Sequence, residues 1–185
     1  YILLKCRINR IRMKITLVCP ASLPATQFGG IMFLGVEIAT ELAKKGHNVT
    51  IFTTDLDYAN NASTFNKNLS RKESINDFII NRTHVWFSYK LFYVNLGMYF
   101  QMKNEKHDII HTIGVRSFQS LIAAIISKKN KIPLIISDQG GLTTHPDLEK
   151  SSVIKKIMYK IQNPLIKLII NQTTKIIVPN EYEKK

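Results

Sequence analysis

Lys14-Ile-Thr-Leu-Val-Cys19, a loop holding Pro20, Pro24 and Gly29-Gly30, a helix-periodic stretch closed by Gly46, and Asn48-Val-Thr-Ile-Phe-Thr53 form one continuous block. The first run is short, apolar and rich in branched residues, the mark of a buried strand. Across the middle stretch Ile31, Leu34, Ile38 and Leu42 recur on one side, opposite Glu37, Glu41 and Lys44/Lys45. That spacing predicts a helix of about 15 residues, with Gly46 as its C-cap. The second run is again a strand. Two strands joined through a helix must run parallel, and a parallel sheet is covered by helices on its faces.

The alternation continues outward from this unit. Residues 55–82 are polar and Asn-rich and read as a loop or a weak helix over the sheet's end. A third strand is expected at 84–87, followed by a helix at 90–104 that is apolar almost all round. Strand 108–111, helix 115–129, strand 133–137, a longer helix 151–171 bent at Pro164, and strand 174–178 complete the series. Six strands alternating with helices define an α/β fold: a Rossmann-like, doubly wound parallel sheet with helices on both faces.

The composition is that of a globular chain: 45% of the 185 residues are apolar and 21% charged, which excludes a disordered or collagen-like polymer. The net charge of +13 raises a polyanionic partner, but its distribution tempers that. Residues 1–12 carry Lys5, Arg7, Arg10 and Arg12 without an acid, and 149–185 carry eight Lys against Glu149, Glu181 and Glu183. The body of the protein is therefore only moderately basic. A groove for nucleic acid would spread basic residues and aromatics through the fold, so no nucleic-acid partner is expected.

Cys6 and Cys19 form neither a disulfide framework nor a zinc spacing, and the start lacks the features of a signal peptide. No apolar stretch approaches the ~18 residues of a spanning helix. A cytoplasmic setting follows. Residues 1–12 precede the first strand and read as a basic extension outside the fold, leaving 13–185 as a single domain. The chain opens on Tyr1, and Asn180 with Glu181 and Glu183 has the character of a helix start, so a piece of a longer protein is expected.

In a doubly wound sheet ligands bind beyond the carboxyl ends of the strands, which selects 20–30, 54–57, 112–117, 138–146 and 179–181. Gly29-Gly30 opens the first helix, where backbone N–H groups can receive a phosphate and glycine lets it approach the main chain; a plain flexible loop uses the same pair. It is not the G-x-G-x-x-G dinucleotide fingerprint, which argues against a nicotinamide oxidoreductase. His107 and His111 lie ~13 Å apart along a strand and cannot share a metal ion. His111 is a candidate ligand contact, with a buried structural histidine as the alternative. Ser137-Asp-Gln-Gly-Gly141 continues into Leu-Thr-Thr-His-Pro-Asp147. It is a polar loop in which Asp138 suits a base and Gln139 a sugar or amide contact, and a capped turn would use the same residues. Helix 90–104 and the Lys-bearing helix 151–171 suit peripheral contact with an anionic membrane, or equally a core helix and an ordinary solvated face.

These residues carry a resemblance. Lys14-Ile-Thr-Leu-Val-Cys-Pro20, Phe28-Gly-Gly-Ile31 and Val36-Glu-Ile-Ala-Thr-Glu-Leu-Ala-Lys-Lys-Gly-His-Asn-Val-Thr-Ile-Phe-Thr-Thr54 resemble the amino-terminal half of family 4 (group 1) glycosyltransferases of the GT-B fold. Three later pieces agree in order: His107-Asp-Ile-Ile-His-Thr-Ile-Gly-Val-Arg-Ser-Phe-Gln-Ser120, Ile132-Pro-Leu-Ile-Ile-Ser-Asp-Gln-Gly-Gly141 and Thr174-Lys-Ile-Ile-Val-Pro-Asn-Glu-Tyr-Glu-Lys184. The similarity covers 13–185 and is weaker over 54–90.

The resemblance implies the acceptor-side half of a retaining, hexosyltransferase-type enzyme. Such an enzyme moves a sugar from a nucleotide-sugar onto a glycan or lipid-linked acceptor in cell-envelope synthesis, without a cofactor or a required metal. It implies that Gly29 and Gly30 meet the donor diphosphate, and that a second, carboxyl-terminal GT-B domain holds most of the donor site. Where many relatives carry a histidine that contacts the transferred sugar, this chain has Gln139, which can hydrogen-bond a hydroxyl but cannot carry a proton at neutral pH. The acceptor side would draw on His111, Arg116, Asp138, Gly140 and Gly141, with Arg116 chosen for its charge and its place after the fourth strand. A non-enzymatic Rossmann-like module binding an anionic ligand or a partner chain is the alternative. On the transferase reading the 185-residue chain by itself has little or no activity, and turnover of a nucleotide-sugar in a radiolabel transfer assay would overturn that expectation.

Overall fold

The computed structural model describes residues 11–58, 64–89, 92–139 and 153–178, without side chains over 153–161. Gly140, Gly141, most of the 1–12 extension and the expected helix start at Asn180 lie outside the described residues. Strand β1 (Lys14–Val18) leads through a short 3-10 turn (Thr26–Phe28) into α1 (Gly30–Lys44) and β2 (Asn48–Thr54). Five short strands follow: β3 (Leu56–Asp57), β4 (Thr64–Phe65), β5 (Lys72–Ile75), β6 (Phe78–Thr83) and β7 (Phe87–Tyr89). Then come β8 (Phe92–Val94), α2 (Gly97–Lys103), β9 (Ile109–Ile113), α3 (Phe118–Asn130), β10 (Leu134–Ser137), α4 (Val153–Gln172) and β11 (Lys175–Ile177).

The main sheet has the order β11-β10-β9-β1-β2-β6-β5. Six of its strands are parallel, and β5 is antiparallel against β6 at one edge. Among the parallel strands the chain steps outward from β1 through β2 to β6, then returns to β9 on the other side of β1. The point of reversal lies between β1 and β9, where a doubly wound sheet opens a crevice.

Alternation along the strands sorts the core into two faces. On one, Leu17, Ile51 and Ile80 form a fully buried row across β1, β2 and β6, packed with Ala39 of α1. On the other, Val18, Phe52, Ile110, Leu134 and Ile136 pack against Met98 and Met102 of α2, Ile122 and Ile126 of α3, and Ile166 and Ile169 of α4. Burial of each such side chain contributes about 1.5–3 kcal/mol. Helix α4 runs through Pro164 and still delivers Ile166 and Ile169 to the core.

Three expectations need correction. The 55–82 region is neither a loop nor a weak helix but carries β3, β4 and the β5–β6 hairpin, closed by a two-residue turn with Asn76 and Asp77 at positive φ (45° and 69°). The third parallel strand is β6, not 84–87. Its apolar pattern is interrupted because Asn81 and Arg82 are buried in it, Asn81 donating to Glu105 Oε1 at 3.1 Å and Arg82 pairing with Glu73 at 2.7 Å. Residues 90–104 are not one helix. The aromatic run Phe92-Tyr-Val94 pairs with β7, and buried Asn95 separates it from the shorter α2.

Helix α1 meets the sheet most closely at Gly35, where a Cβ would lie 2.8 Å from the Cys19 sulfur and 3.4 Å from Ile113 Cδ1. Gly35→Ala gains up to ~1 kcal/mol of helix propensity against ~1–3 kcal/mol of overpacking, so a net loss of stability is expected in urea unfolding. The double variant with Cys19→Ala should recover most of it; equal losses in single and double variants would contradict the contact.

Candidate functional site

The carboxyl ends of β1, β9 and β10 lie side by side, since Val18 pairs with Thr112 and Ile113 with Ser137. The loops after them therefore border one crevice. The 20–29 loop is packed rather than loose. Ala21 and Ala25 are fully buried with Leu56, Val85 and Tyr93, Gln27 N donates to Tyr58 O at 3.0 Å, and Phe28 lies 6.3 Å from the Tyr93 ring. This small cluster sets where α1 begins.

Gly29 stands at the N-cap of α1 with φ 91° and ψ −152°, a conformation open to glycine, and no side chain caps the helix. A Cβ on Gly29 or Gly30 would meet nothing within 4 Å, so the main chain here is open to approach. No side chain accepts from the first turn of this 15-residue helix; Met32 and Phe33 N–H donate to Gly29 O at 3.1 and 3.4 Å, and the Gly30 and Ile31 N–H groups stand ahead of them at the positive end of the dipole. Across the crevice Gly114, at φ 81°, touches Ile31 Cδ1 at 3.8 Å from its own would-be Cβ and donates its N–H to Ser137 O at 2.9 Å. Ser117 caps α3, accepting from Ser120 N at 3.1 Å, and a hydroxyl chain links Ser117 and Thr112 through Ser120 Oγ at 2.8 and 2.6 Å.

The remaining sequence-derived residues divide. Asp138 directly follows β10, fully buried, its N–H donating to Ile177 O at 2.9 Å, while Gln139 beside it is exposed at the strand end. Arg116 is half-buried and lines a small cleft with Phe92, Gln162, Leu165 and Ile169, toward α4. His111 is not at the strand's end. Strand β9 continues to Ile113, which leaves His111 buried within the sheet with Nε2 2.8 Å from Ser137 Oγ. This matches the structural reading of that histidine. Among the described residues no three potential metal ligands cluster, and no helix is long and apolar enough to cross a membrane.

The strand-end rule reaches Asp55 within 54–57 but not the side chains that gather around it. Asp55 after β2 and His84 after β6 meet with Oδ2 2.5 Å from Nδ1, and Asp55 Oδ1 accepts the Val85 N–H at 3.1 Å. They border a cavity of about 320 Å³ lined also by Lys67, Arg71, Arg82, Trp86 and Gln101. The strand-end rule does reach His84 once the third strand is placed on Phe78–Thr83.

Burial lowers the His111 pKa from 6.5 to about 4. The unfolded chain therefore binds a proton that the folded chain refuses between those values. Its contribution to stability is whole above pH 6.5 and is lost as pH falls toward 4, by up to about 3 kcal/mol. Melting temperature measured from pH 7 to 4.5 should fall more steeply for the native sequence than for His111→Gln; parallel curves would remove His111 as the cause.

Among solved structures, MurG of Acinetobacter baumannii is similar to this chain with a TM-score of 0.51 at 12% identity, over 90% of this chain and 41% of that one. The fold is thus the α/β, Rossmann-like half of a GT-B glycosyltransferase, and the chain spans about two-fifths of the protein it matches. No curated protein sequence matches it. The family model for Glycosyltransferase Family 4 matches residues 28–185, a span holding the glycine pair at the head of α1, the turn after β9 and the end of β10, and the chain belongs to that family.

Proposed function

We propose that the chain is the acceptor-side half of a retaining, hexosyltransferase-type glycosyltransferase. It passes a sugar from a nucleotide-sugar to a glycan or lipid-linked acceptor of the cell envelope, in partnership with a second GT-B domain. The observation that carries this reading is the head of α1. Its uncapped N–H groups and its two glycines, unobstructed by any side chain, open at the point where the strand order reverses. A diphosphate leaving group is the ligand such a helix start suits, because main-chain donors and the helix dipole both favour dispersed negative charge.

In this reading the domain's chemistry is positional. Gly29 and Gly30 hold the diphosphate as charge develops on it, and Gln139 at the end of β10 offers its amide to the transferred sugar. No proton need be carried by Gln139 for that role, and the nucleotide-sugar is a co-substrate rather than a resident cofactor. Arg116 and Asp138 stand after the neighbouring strands on the acceptor side. Peripheral contact with the inner face of the cytoplasmic membrane is supported by the exposed Phe87 and Tyr89 and by Leu96 and Phe100 of the α2 segment.

The two glycines separate structural from ligand effects. Gly29→Ala forces φ 91° on a side-chain-bearing residue and should cost about 1–2 kcal/mol of stability. Gly30→Ala has room for its methyl and should leave stability within about 1 kcal/mol of the parent. In the protein expressed from its native gene context, the added methyl of Gly30→Ala stands where the phosphate must approach the main chain and should lower transfer from radiolabelled nucleotide-sugar by roughly ten-fold or more, the worth of one hydrogen bond to a charged group lengthened beyond reach. Undiminished transfer would sink the diphosphate role, and nucleotide-sugar binding without any turnover would favour the non-enzymatic module.

A further inference from the structure

The cavity beside the β5–β6 hairpin lies at the same end of the sheet as the crevice but is built differently. The crevice is a matter of backbone; the cavity is lined by charged, aromatic and amide side chains. Its volume of about 320 Å³ lies in the range of small-ligand sites.

Each lining group has a definite chemical capacity. Arg82 is spent on structure: it is 3% exposed, pairs with Glu73, and donates to Leu23 O at 2.8 and 3.2 Å and to Ser70 O at 2.8 Å. Lys67 and Arg71 are exposed and form no ion pair among the described residues, so the rim carries two uncompensated positive charges. Asp55 Oδ1 accepts the Val85 N–H, and its Oδ2 meets His84 Nδ1 in a hydrogen bond. That contact fixes the imidazole and leaves Nε2 as the ring nitrogen available to a ligand hydroxyl. Gln101 Oε1 is buried without a hydrogen-bond partner although its Nε2 reaches Arg82 O at 3.5 Å, an orphan acceptor on the cavity wall. Trp86 is 74% exposed and offers an indole face at the mouth.

Two cations, an imidazole nitrogen and an amide oxygen able to hydrogen-bond hydroxyls, and one flat aromatic surface call for a ligand with an anionic group and several hydroxyls on a ring with an apolar face. We propose that this cavity is a subsite for an anionic saccharide, one carrying a phosphate or a carboxylate. Lys67 and Arg71 take the charged group, His84 Nε2 and Gln101 Oε1 hydrogen-bond hydroxyls, and the sugar ring lies on Trp86. On the transferase reading, and only in this respect resting on it, the saccharide is part of the acceptor.

Trp86 is the single tryptophan in the sequence, so its fluorescence reports on this cavity alone. The full chain would be titrated with glucose 1-phosphate and with glucuronate, beside glucose and inorganic phosphate. A saturable change with one or both anionic sugars is expected, and which of them binds tells phosphate from carboxylate. Glucose should be at least ten-fold weaker. Lys67→Gln with Arg71→Gln, both exposed and without effect on melting, should weaken binding ten-fold or more, and His84→Asn several-fold. Trp86→Phe should abolish the optical signal while calorimetry still detects the ligand.

No saturable response to either anionic sugar would overturn the proposal. So would inorganic phosphate binding as tightly as glucose 1-phosphate, or affinity unchanged in the lysine–arginine double variant. Transfer from radiolabelled nucleotide-sugar, measured on the protein expressed from its native gene context, should stay sensitive to Gly30→Ala whatever the saccharide titration shows. Failure of the saccharide titration with that sensitivity intact would remove this subsite and leave the transferase reading standing. Loss of both would count against the two together.

Discussion

Everything at the ligand end of this domain depends on how deeply α1 is seated. Because Gly35 has no side chain, the helix approaches until its backbone nearly meets the Cys19 sulfur. That sulfur is itself buried in the core, with its thiol pKa pushed up to about 12 by desolvation. A helix held at that depth by close packing has little freedom to slide or tilt. Its first turn therefore arrives beside the turn after β9, where Ile31 reaches Gly114. The crevice is thus a consequence of core packing at its floor more than of any contact within it.

From that floor the carboxyl end of the sheet divides into two regions of different chemistry. Around β1, β9 and β10 the available groups are main-chain donors and short hydroxyls, which suit phosphate oxygens. Around β2 and β6 they are side chains organised by a buried arginine that spends its guanidinium on Glu73 and two carbonyls. The small cluster of Ala21, Ala25, Leu56, Val85 and Tyr93 lies between them and holds the connecting loops. On the proposed function, the two regions offer separate places for an activated sugar and its acceptor on one base.

The parallel sheet and its helices were legible because burial wrote them plainly. β1, β2, β9 and β10 are apolar runs, and Ile31, Leu34, Ile38 and Leu42 do line the inner side of α1. The strand-end rule then pointed to Gly29, Gly30 and Asp138 without a structure. What the pattern hid was polar burial. Arg82 and Asn81 broke the apolar signature of β6, and that displaced the third strand by several residues and concealed His84 at its end. The aromatic run at 92–94 reads as helix for the opposite reason, since three apolar residues of a short strand and a stretch of buried helix look alike over so few positions. His111 lies inside its strand because β9 runs two residues further, to Ile113, and there it fits the alternative of a buried structural histidine, with Ser137 as the partner that the sequence did not name.

The antiparallel edge has a kinetic side. The parallel pairs that define the fold join segments separated by whole helices or, for β2 and β6, by the strands β3 to β5, and each must close a long loop before it gains a contact. The β5–β6 hairpin closes only Asn76 and Asp77. It is therefore the part of the sheet that costs the least chain entropy to assemble, on a timescale of about microseconds for an isolated hairpin. Arg82 meets Glu73 and Ser70 in the same stretch of chain, so part of one cavity wall is specified by neighbours in sequence, and its bonds to Leu23 O then tie that wall to the loop after β1.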